Sequence, residues 1–190
     1  MLRDINVAFD GATVGINGLD TGTMSDGNWY YLHVIYNPTT DNSASLISLS
    51  ATAPTLPSGY TMRCRAGAVR VQVGASAFTA QEQKGNEVTF GIGAQNVVTL
   101  VYGGTNTTAT MVSTLTAAPP TANNILIVAA VSSGACSVYA DFTMGMPYLS
   151  GSLNLVTSGY VPFKVANSIT YRMVQPGTGY VRAYGYRDNI

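Results

Sequence analysis

Apolar residues in this chain recur at every second position, and no long run carries them at helical spacing. A period of two puts successive side chains on opposite faces of an extended strand. Gly, Pro, Asn and Ser interrupt the pattern about every ten residues, the rhythm of a sandwich or a barrel. The strongest segment is Trp29–Asn37, which reads Trp-Tyr-Tyr-Leu-His-Val-Ile-Tyr-Asn. Trp29, Tyr31, His33 and Ile35 fall on one face; Tyr30, Leu32, Val34 and Tyr36 fall on the other. Both faces are apolar, so both call for a cover. One can fill a sandwich core. For the other, a subunit interface is the simplest cover.

The remaining segments follow the same logic. Residues 46–50 read as a short strand. Leu56-Pro57-Ser58-Gly59 fits a type I turn, with Pro second and Gly fourth. Residues 62–73 resume a strand in which Gly67 marks a bulge or a close backbone approach. Residues 76–86 are the most polar connection and lean weakly to helix. Glu87–Phe90, 95–102 and 105–115 read as strands, and 125–131 with 136–144 as a hairpin about Ser132-Ser133-Gly134-Ala135. Residues 153–156, 161–165 and 168–174 follow. Gln175-Pro176-Gly177-Thr178-Gly179 reads as a tight turn, and 180–187 closes the chain. Roughly ten strands predict an all-β fold, an antiparallel β-sandwich of jelly-roll type, with a short β-barrel as the alternative. Residues 1–24, rich in Gly and Asp, read as an extended N-terminal arm or an edge strand. Residues 25–190 read as a single β-sandwich domain. At 190 residues, such a chain buries roughly 70% of its extended surface and can build its own core.

Charge narrows the function. Only 9% of residues are charged, against roughly 25% in ordinary soluble domains. That suits a surface covered by copies of itself or by neighbours; a secreted β-domain with a polar, uncharged surface is the competitor. Nine basic and nine acidic residues leave a formal net charge of zero. No basic field draws in phosphates, so no nucleic acid is expected as a partner. Arg63 and Arg65 share a face by alternation and Arg70 takes the other, which fits interface or ion-pair roles. No stretch approaches the roughly 20 apolar residues of a membrane helix. Residues 1–6 lack the apolar run of a signal peptide. Cys64 and Cys136 cannot make a dense disulfide framework. Each sits in an apolar strand-like run, as a buried free thiol does; a single bridge stays open for a secreted protein.

The search for chemistry returns little. His33 is the only histidine, so a His-His or His-Cys metal site is excluded, and the two cysteines lack the close spacing of zinc ligands. No Gly-x-Ser-x-Gly elbow occurs. Residues 91–96 open like a dinucleotide fingerprint but lack its third Gly and a following helix. Asp20, Asp26, Asp41, Glu82, Glu87 and Asp141 are the carboxylates from which an acid–base pair could be drawn. All but Asp141 fall in loop-like segments, where such groups bond local backbone. No catalytic residue, metal site or cofactor is expected, and His33 reads as a satisfied core or interface histidine. The aromatics weigh the other way. Twelve Tyr against one Trp and five Phe suit interfaces and sugar faces alike. Alternation puts Tyr180, Arg182, Tyr184 and Tyr186 on one face of the last strand. Tyr180, Tyr184, Tyr186 and Arg187 are the binding candidates, against packing on another subunit.

Several stretches also agree in order and spacing with a known module. They are Gly18-Leu19-Asp20-Thr21-Gly22, Trp29-Tyr30-Tyr31, the run from Ser48-Leu49-Ser50-Ala51-Thr52-Ala53-Pro54 through Thr55-Leu56-Pro57-Ser58-Gly59-Tyr60-Thr61, and Gly67-Ala68-Val69. Together they resemble a module of tail-fibre and other virion structural proteins of tailed bacteriophages and prophages. The likeness covers about residues 18–71, with a weaker echo at Tyr184-Gly185-Tyr186-Arg187-Asp188. It implies a virion protein, assembled in the bacterial cytoplasm, that forms oligomers, often a homotrimer, and catalyses nothing. Its partners would be itself, other virion proteins and a host surface glycan, with no membrane. Trp29, Tyr30, Tyr31, Pro57, Gly59 and Tyr60 look like fold determinants, and the likeness carries over no binding residue. Little chain precedes the module, whereas a fibre has a long attachment region. This favours a small separate subunit: a capsid-decorating protein, a head fibre or a short receptor-binding fibre tip. A secreted carbohydrate-binding module is the alternative.

Overall fold

In the computed structural model, which describes residues 8–75, 77–91, 97–140, 149–152, 156–165 and 167–190, Trp29–Asn37 forms strand β1 with the bounds its alternation predicts. The chain divides into two compact units, Met1–Thr79 with Ile190, and Ala80–Asn189. The sequence reading drew its boundary after residue 24; this division lies after Thr79.

In the first unit, β1 is the central strand, flanked by β2 (Asn42–Ser48) and β3 (Met62–Arg70), both antiparallel to it. The turn between β1 and β2 is built by short polar side chains. Asn37 Oδ1 accepts from Thr39 N at 3.0 Å, and Asp41 takes a positive φ of 54°, which Asp tolerates better than most residues. The β1–β3 register slips after Leu32, which opposes Gly67 while His33 opposes Arg65. Ala66 is the extra residue, so the strand bulges beside Gly67.

This chain covers both faces of the sheet along much of β1, leaving the Val34–Tyr36 end of one face open. Tyr30, Ile47 and Val69 pack with Leu19, Val71, Met24, Leu32 and Phe78. On the opposite face Ile35, Ala44 and Leu46 pack with Leu56 and Tyr60. The second cover, expected from a neighbouring subunit, is thus the segment that precedes β3. Its turn is set one residue later than expected. Tyr60 N donates to Pro57 O at 3.1 Å, and Gly59 sits third with φ 83°, which is type II geometry and requires Gly there. Residues 17–20 run along the outer edge of β2: Asn17 N donates to Ser45 O at 2.9 Å and Asp20 N to Ile47 O at 2.8 Å.

The second unit opens with a hairpin, β4 (Gln81–Lys84) and β5 (Glu87–Phe90). The polar stretch expected to lean to helix holds strand β4 and the turn after it instead. Its two-residue loop is Gly85-Asn86, with Gly85 at φ 60°, a combination that favours hairpin turns. Then come β6 (Val98–Gly104), β7 (Thr110–Ser113), β8 (Ala122–Tyr139), β9 (Leu149–Ser152), β10 (Thr157–Pro162) and β11 (Ser168–Asp188). The spine is β8 against β11, of 18 and 21 residues, paired from Thr170↔Tyr139 to Asp188↔Ala122.

This corrects two turns. The hairpin expected about 132–135 and the turn expected at 175–179 are both absent, because the two breakers face each other across the ladder. Ala135 opposes Gln175 and Ser133 opposes Thr178, with register shifts on either side. The Gly, Pro and Ser that suggested turns form paired bulges instead. Ser133 Oγ accepts from Thr178 N at 3.1 Å, and Ser132 Oγ donates to Thr178 O at 3.3 Å. The strands bend here. A Cβ built on Gly179 would stand 2.7 Å from Met173 Sδ and 3.5 Å from Cys136 Sγ, so side chains from beyond the bulge lie over Gly179. One half of β11 pairs with β7 and the other with β5 and β6.

Every pairing between these strands is antiparallel and no described residue is helical, so the protein is all-β. The pairings do not by themselves establish jelly-roll connectivity. Most of the loop expected at 91–96, most of the strand expected at 153–156, and Asp141 lie outside the described residues.

Candidate functional site

Strand β11 builds the outward face on which the C-terminal tyrosines were expected together. Val181 and Ala183 point into the core of the second unit. Tyr180, Arg182 and Tyr184 therefore point outward. The alternation then breaks. Ala183 opposes Ile127 while Gly185 opposes Leu126, so Tyr184 is the extra residue of a bulge and the parity inverts after it. Tyr186 consequently points inward and is 0% exposed. Its ring lies 6.2 Å from that of Phe90. Gly185 is required there, since any Cβ would strike the Val88 carbonyl oxygen. The expectation that Tyr186 shares a face with Tyr180 and Tyr184 is corrected by that one inserted residue.

Tyr180, Arg182 and Tyr184 line a groove of about 260 Å³ with Val128 and Ala130 of β8 and with Val156. The Tyr180 ring is propped edge-on by Tyr102, with centroids 5.3 Å apart at 78°. Tyr102 itself is 79% exposed. Arg187 lies elsewhere on the strand and is engaged. Its Nε and Nη2 donate to Glu87 Oε1 at 2.9 and 2.5 Å, and its guanidinium sits 4.0 Å above the centre of the Tyr160 ring. Burial, and then the Glu87 carboxylate, push the Tyr160 phenol above its usual range. Of the four expected residues, Tyr180 and Tyr184 line one groove, Tyr186 is core, and Arg187 belongs to a Glu87–Tyr160 cluster. Sequence reasoning placed Arg182 on this face without making it a site residue, and it missed Val128, Ala130 and Val156.

His33 is buried, as expected, but only one of its two ring nitrogens is satisfied among the described residues. Its Nε2–H donates to the Ser50 carbonyl at 3.0 Å, which fixes the neutral tautomer, and its Nδ1 has no hydrogen-bond partner among the described residues. Burial, chiefly, and the Arg63 and Arg65 charges hold its pKa below 6.5 despite the Ser50 bond. The sign of the consequence is fixed. The unfolded imidazole takes a proton first, so folding stability falls as pH drops below about 6.5 and continues to fall to the folded pKa. Urea unfolding followed by Trp29 fluorescence at pH 7.5 and 5.5 should show a lower midpoint at pH 5.5. His33→Gln should flatten that step, and an equal step in the variant would remove His33 as its cause.

The described carboxylates considered for an acid–base pair each meet a nearby polar group. Asp20 Oδ2 accepts from Ser48 Oγ at 2.7 Å and from Thr55 N at 3.0 Å. Asp26 accepts from Gly74 N at 2.7 Å and Asp41 from Tyr36 Oη at 2.9 Å. Glu82 lies 3.4 Å from Lys84. No group of three or more His, Cys, Asp or Glu among the described residues is placed to hold a metal. Both cysteines are free thiols. Cys136 is buried, and burial pushes its pKa up to about 11. Cys64, expected to be buried as well, is exposed, because it lies with Val34 and Tyr36 where the face of its sheet is open. No helix among the described residues is long and apolar enough to cross a membrane. No protein-family model, no curated protein and no solved structure matches this chain.

Proposed function

We propose that this protein is a non-catalytic structural subunit of a bacteriophage virion, a homotrimer displayed on the particle as a fibre-type receptor-binding or capsid-decorating protein. The observation that carries this reading is a mismatch between charge and exposed apolar surface. Only 9% of the residues are charged, yet Ile16, Val73, Met111 and Val156 stand 52 to 74% exposed. A lone soluble domain spreads charge over its surface, whereas one that meets copies of itself need not. The resemblance supplies the setting. Its Pro57-Ser58-Gly59-Tyr60 turn supports the part given to those residues, since Tyr60 packs against the face of β1 that carries Ile35.

The self-contact is assigned to the far end of the first sheet. There Met62 is 59% exposed and lines, with Val34, Tyr36 and Cys64, an open depression of about 410 Å³. Light scattering at micromolar concentration should return a trimer mass, and Met62→Glu should shift it to the monomer, because a buried unpaired carboxylate opposes association. Iodoacetamide should alkylate Cys64 several-fold faster in that variant than in the assembled protein, while Cys136 reacts only after denaturation. A monomeric parent would sink the oligomer reading. Immunogold labelling of particles then separates tail tip from head. The second reading, a secreted carbohydrate-binding module, is favoured by the Tyr180–Tyr184 groove and would need no oligomer.

A further inference from the structure

We propose that the groove between Tyr180 and Tyr184 binds a single acidic sugar residue, a uronic or sialic acid unit of a host surface glycan. This deepens the reading of a surface-displayed virion protein and rests on it for the source of the glycan. Four observations carry it. The volume, about 260 Å³, falls just under the roughly 300 Å³ at which drug-sized pockets begin, so one ring fits and a chain does not. The walls are two tyrosines on one strand face, and the edge-on contact of Tyr102 at 5.3 Å fixes the Tyr180 ring. A fixed aromatic face with few rotors offers apolar C–H contact at low ordering cost. The floor carries apolar Val128 and Ala130, which match the apolar face of a sugar and leave its hydroxyls for the rim.

The fourth observation sets the charge. Arg182 lines the groove, stands exposed, and makes no hydrogen bond or ion pair with any described residue. Among the described residues no carboxylate lines the groove beside it. Of the acids near the end of β11, Glu87 is held by Arg187 through two hydrogen bonds, and Asp188 is buried. A guanidinium with free donors beside two aromatic walls is complementary to a carboxylate on a pyranose ring, which it can bind in bidentate fashion. A neutral hexose would leave those donors to water.

The test is an NMR titration of the full chain, isotope-labelled, with glucuronic acid, N-acetylneuraminic acid and glucose. At least one acid should shift the resonances of Tyr180, Arg182 and Tyr184, and should bind about fivefold to tenfold tighter than glucose at low salt. Arg182→Gln should erase that preference without changing the spectrum elsewhere. Tyr184→Ala should abolish binding of all three sugars. Raising salt should weaken the acid and leave glucose unchanged. Equal affinity for acid and neutral sugar, shifts confined to other residues, or no binding by any of the three would each overturn the proposal. Light scattering on the same samples reads the oligomer assignment separately. A trimer that ignores all three sugars defeats the groove alone, whereas a monomer that binds an acid through Arg182 defeats the oligomer alone.

Discussion

Tyr186→Ala will cost the second unit about 3–5 kcal/mol of stability, the usual loss when a large buried aromatic is truncated. Tyr184→Ala, two positions earlier on the same strand, will cost less than about 1 kcal/mol, as a surface change does. In an unbroken strand, residues two apart share a face, and the two substitutions would weigh alike. Here the bulge between Ala183 and Gly185 sends Tyr184 outward and Tyr186 into the core beside Phe90. Tyr186 is 0% exposed, so its removal leaves a cavity as well as a lost transfer term. The readout is denaturant unfolding followed by far-UV circular dichroism, with amide exchange along β8 and β11 to assign the loss to this unit. Equal costs for the two variants would mean that the alternation runs on unbroken and that the groove is misassigned.

The same bulge shows where the sequence was legible and where it was not. Trp29–Asn37 and Glu87–Phe90 could be placed to the residue because the first is an unbroken run rich in aromatic and β-branched residues, the second alternates cleanly, and both are bounded by turn-forming residues. The two apolar faces of β1 correctly demanded two covers; that Leu56 and Tyr60 form one of them is a long-range contact, which periodicity does not encode. Strand β4 has no apolar residue to alternate, so Gln-Glu-Gln-Lys looked like a connection. The Gly85-Asn86 loop was the signal available, since Gly-Asn between two short runs is a hairpin cue. Turns and bulges draw on the same residues, and only the partner strand decides between them. Ser133-Gly134 and Gln175-Pro176-Gly177 became bulges because they face each other.

The site divides in the same way. Tyr180 and Tyr184 were readable from one strand. Val128 and Ala130 were not, because their place in the groove depends on how β8 registers against β11. Tyr186 went astray because counting by two has no means of seeing an inserted residue. Gly185, between two tyrosines in an otherwise side-chain-rich strand, was the one mark of it.

Gly134→Ala will destabilise the second unit by about 2–4 kcal/mol, which combines left-handed strain of about 1–2 kcal/mol with a steric term. Gly134 has φ 78°, and a Cβ there would stand 2.6 Å from Pro176 O and 2.9 Å from Gln175 O. Both obstacles are backbone, so no side-chain rotation can relieve them. Gly85→Ala isolates the first part of that cost, since Gly85 also has a positive φ, 60°, but nothing within 4 Å of its Cβ. It should cost only about 1 kcal/mol. Gly177→Ala carries a steric cost without left-handed strain, because its φ lies outside that range while its Cβ would run even closer to the Ser133 carbonyl than that of Gly134 does to Pro176. In denaturant midpoints Gly134→Ala and Gly177→Ala should both lose clearly more than Gly85→Ala, in that order. If Gly134→Ala and Gly85→Ala lose the same amount, backbone strain alone is at work and the facing bulges do not interlock. If the order holds, the corner fixes the angle at which β11 leaves it. Tyr180 lies three residues beyond Gly177, so a corner variant that still folds should lose sugar binding along with stability. Gly85→Ala, at the β4–β5 turn, should keep it.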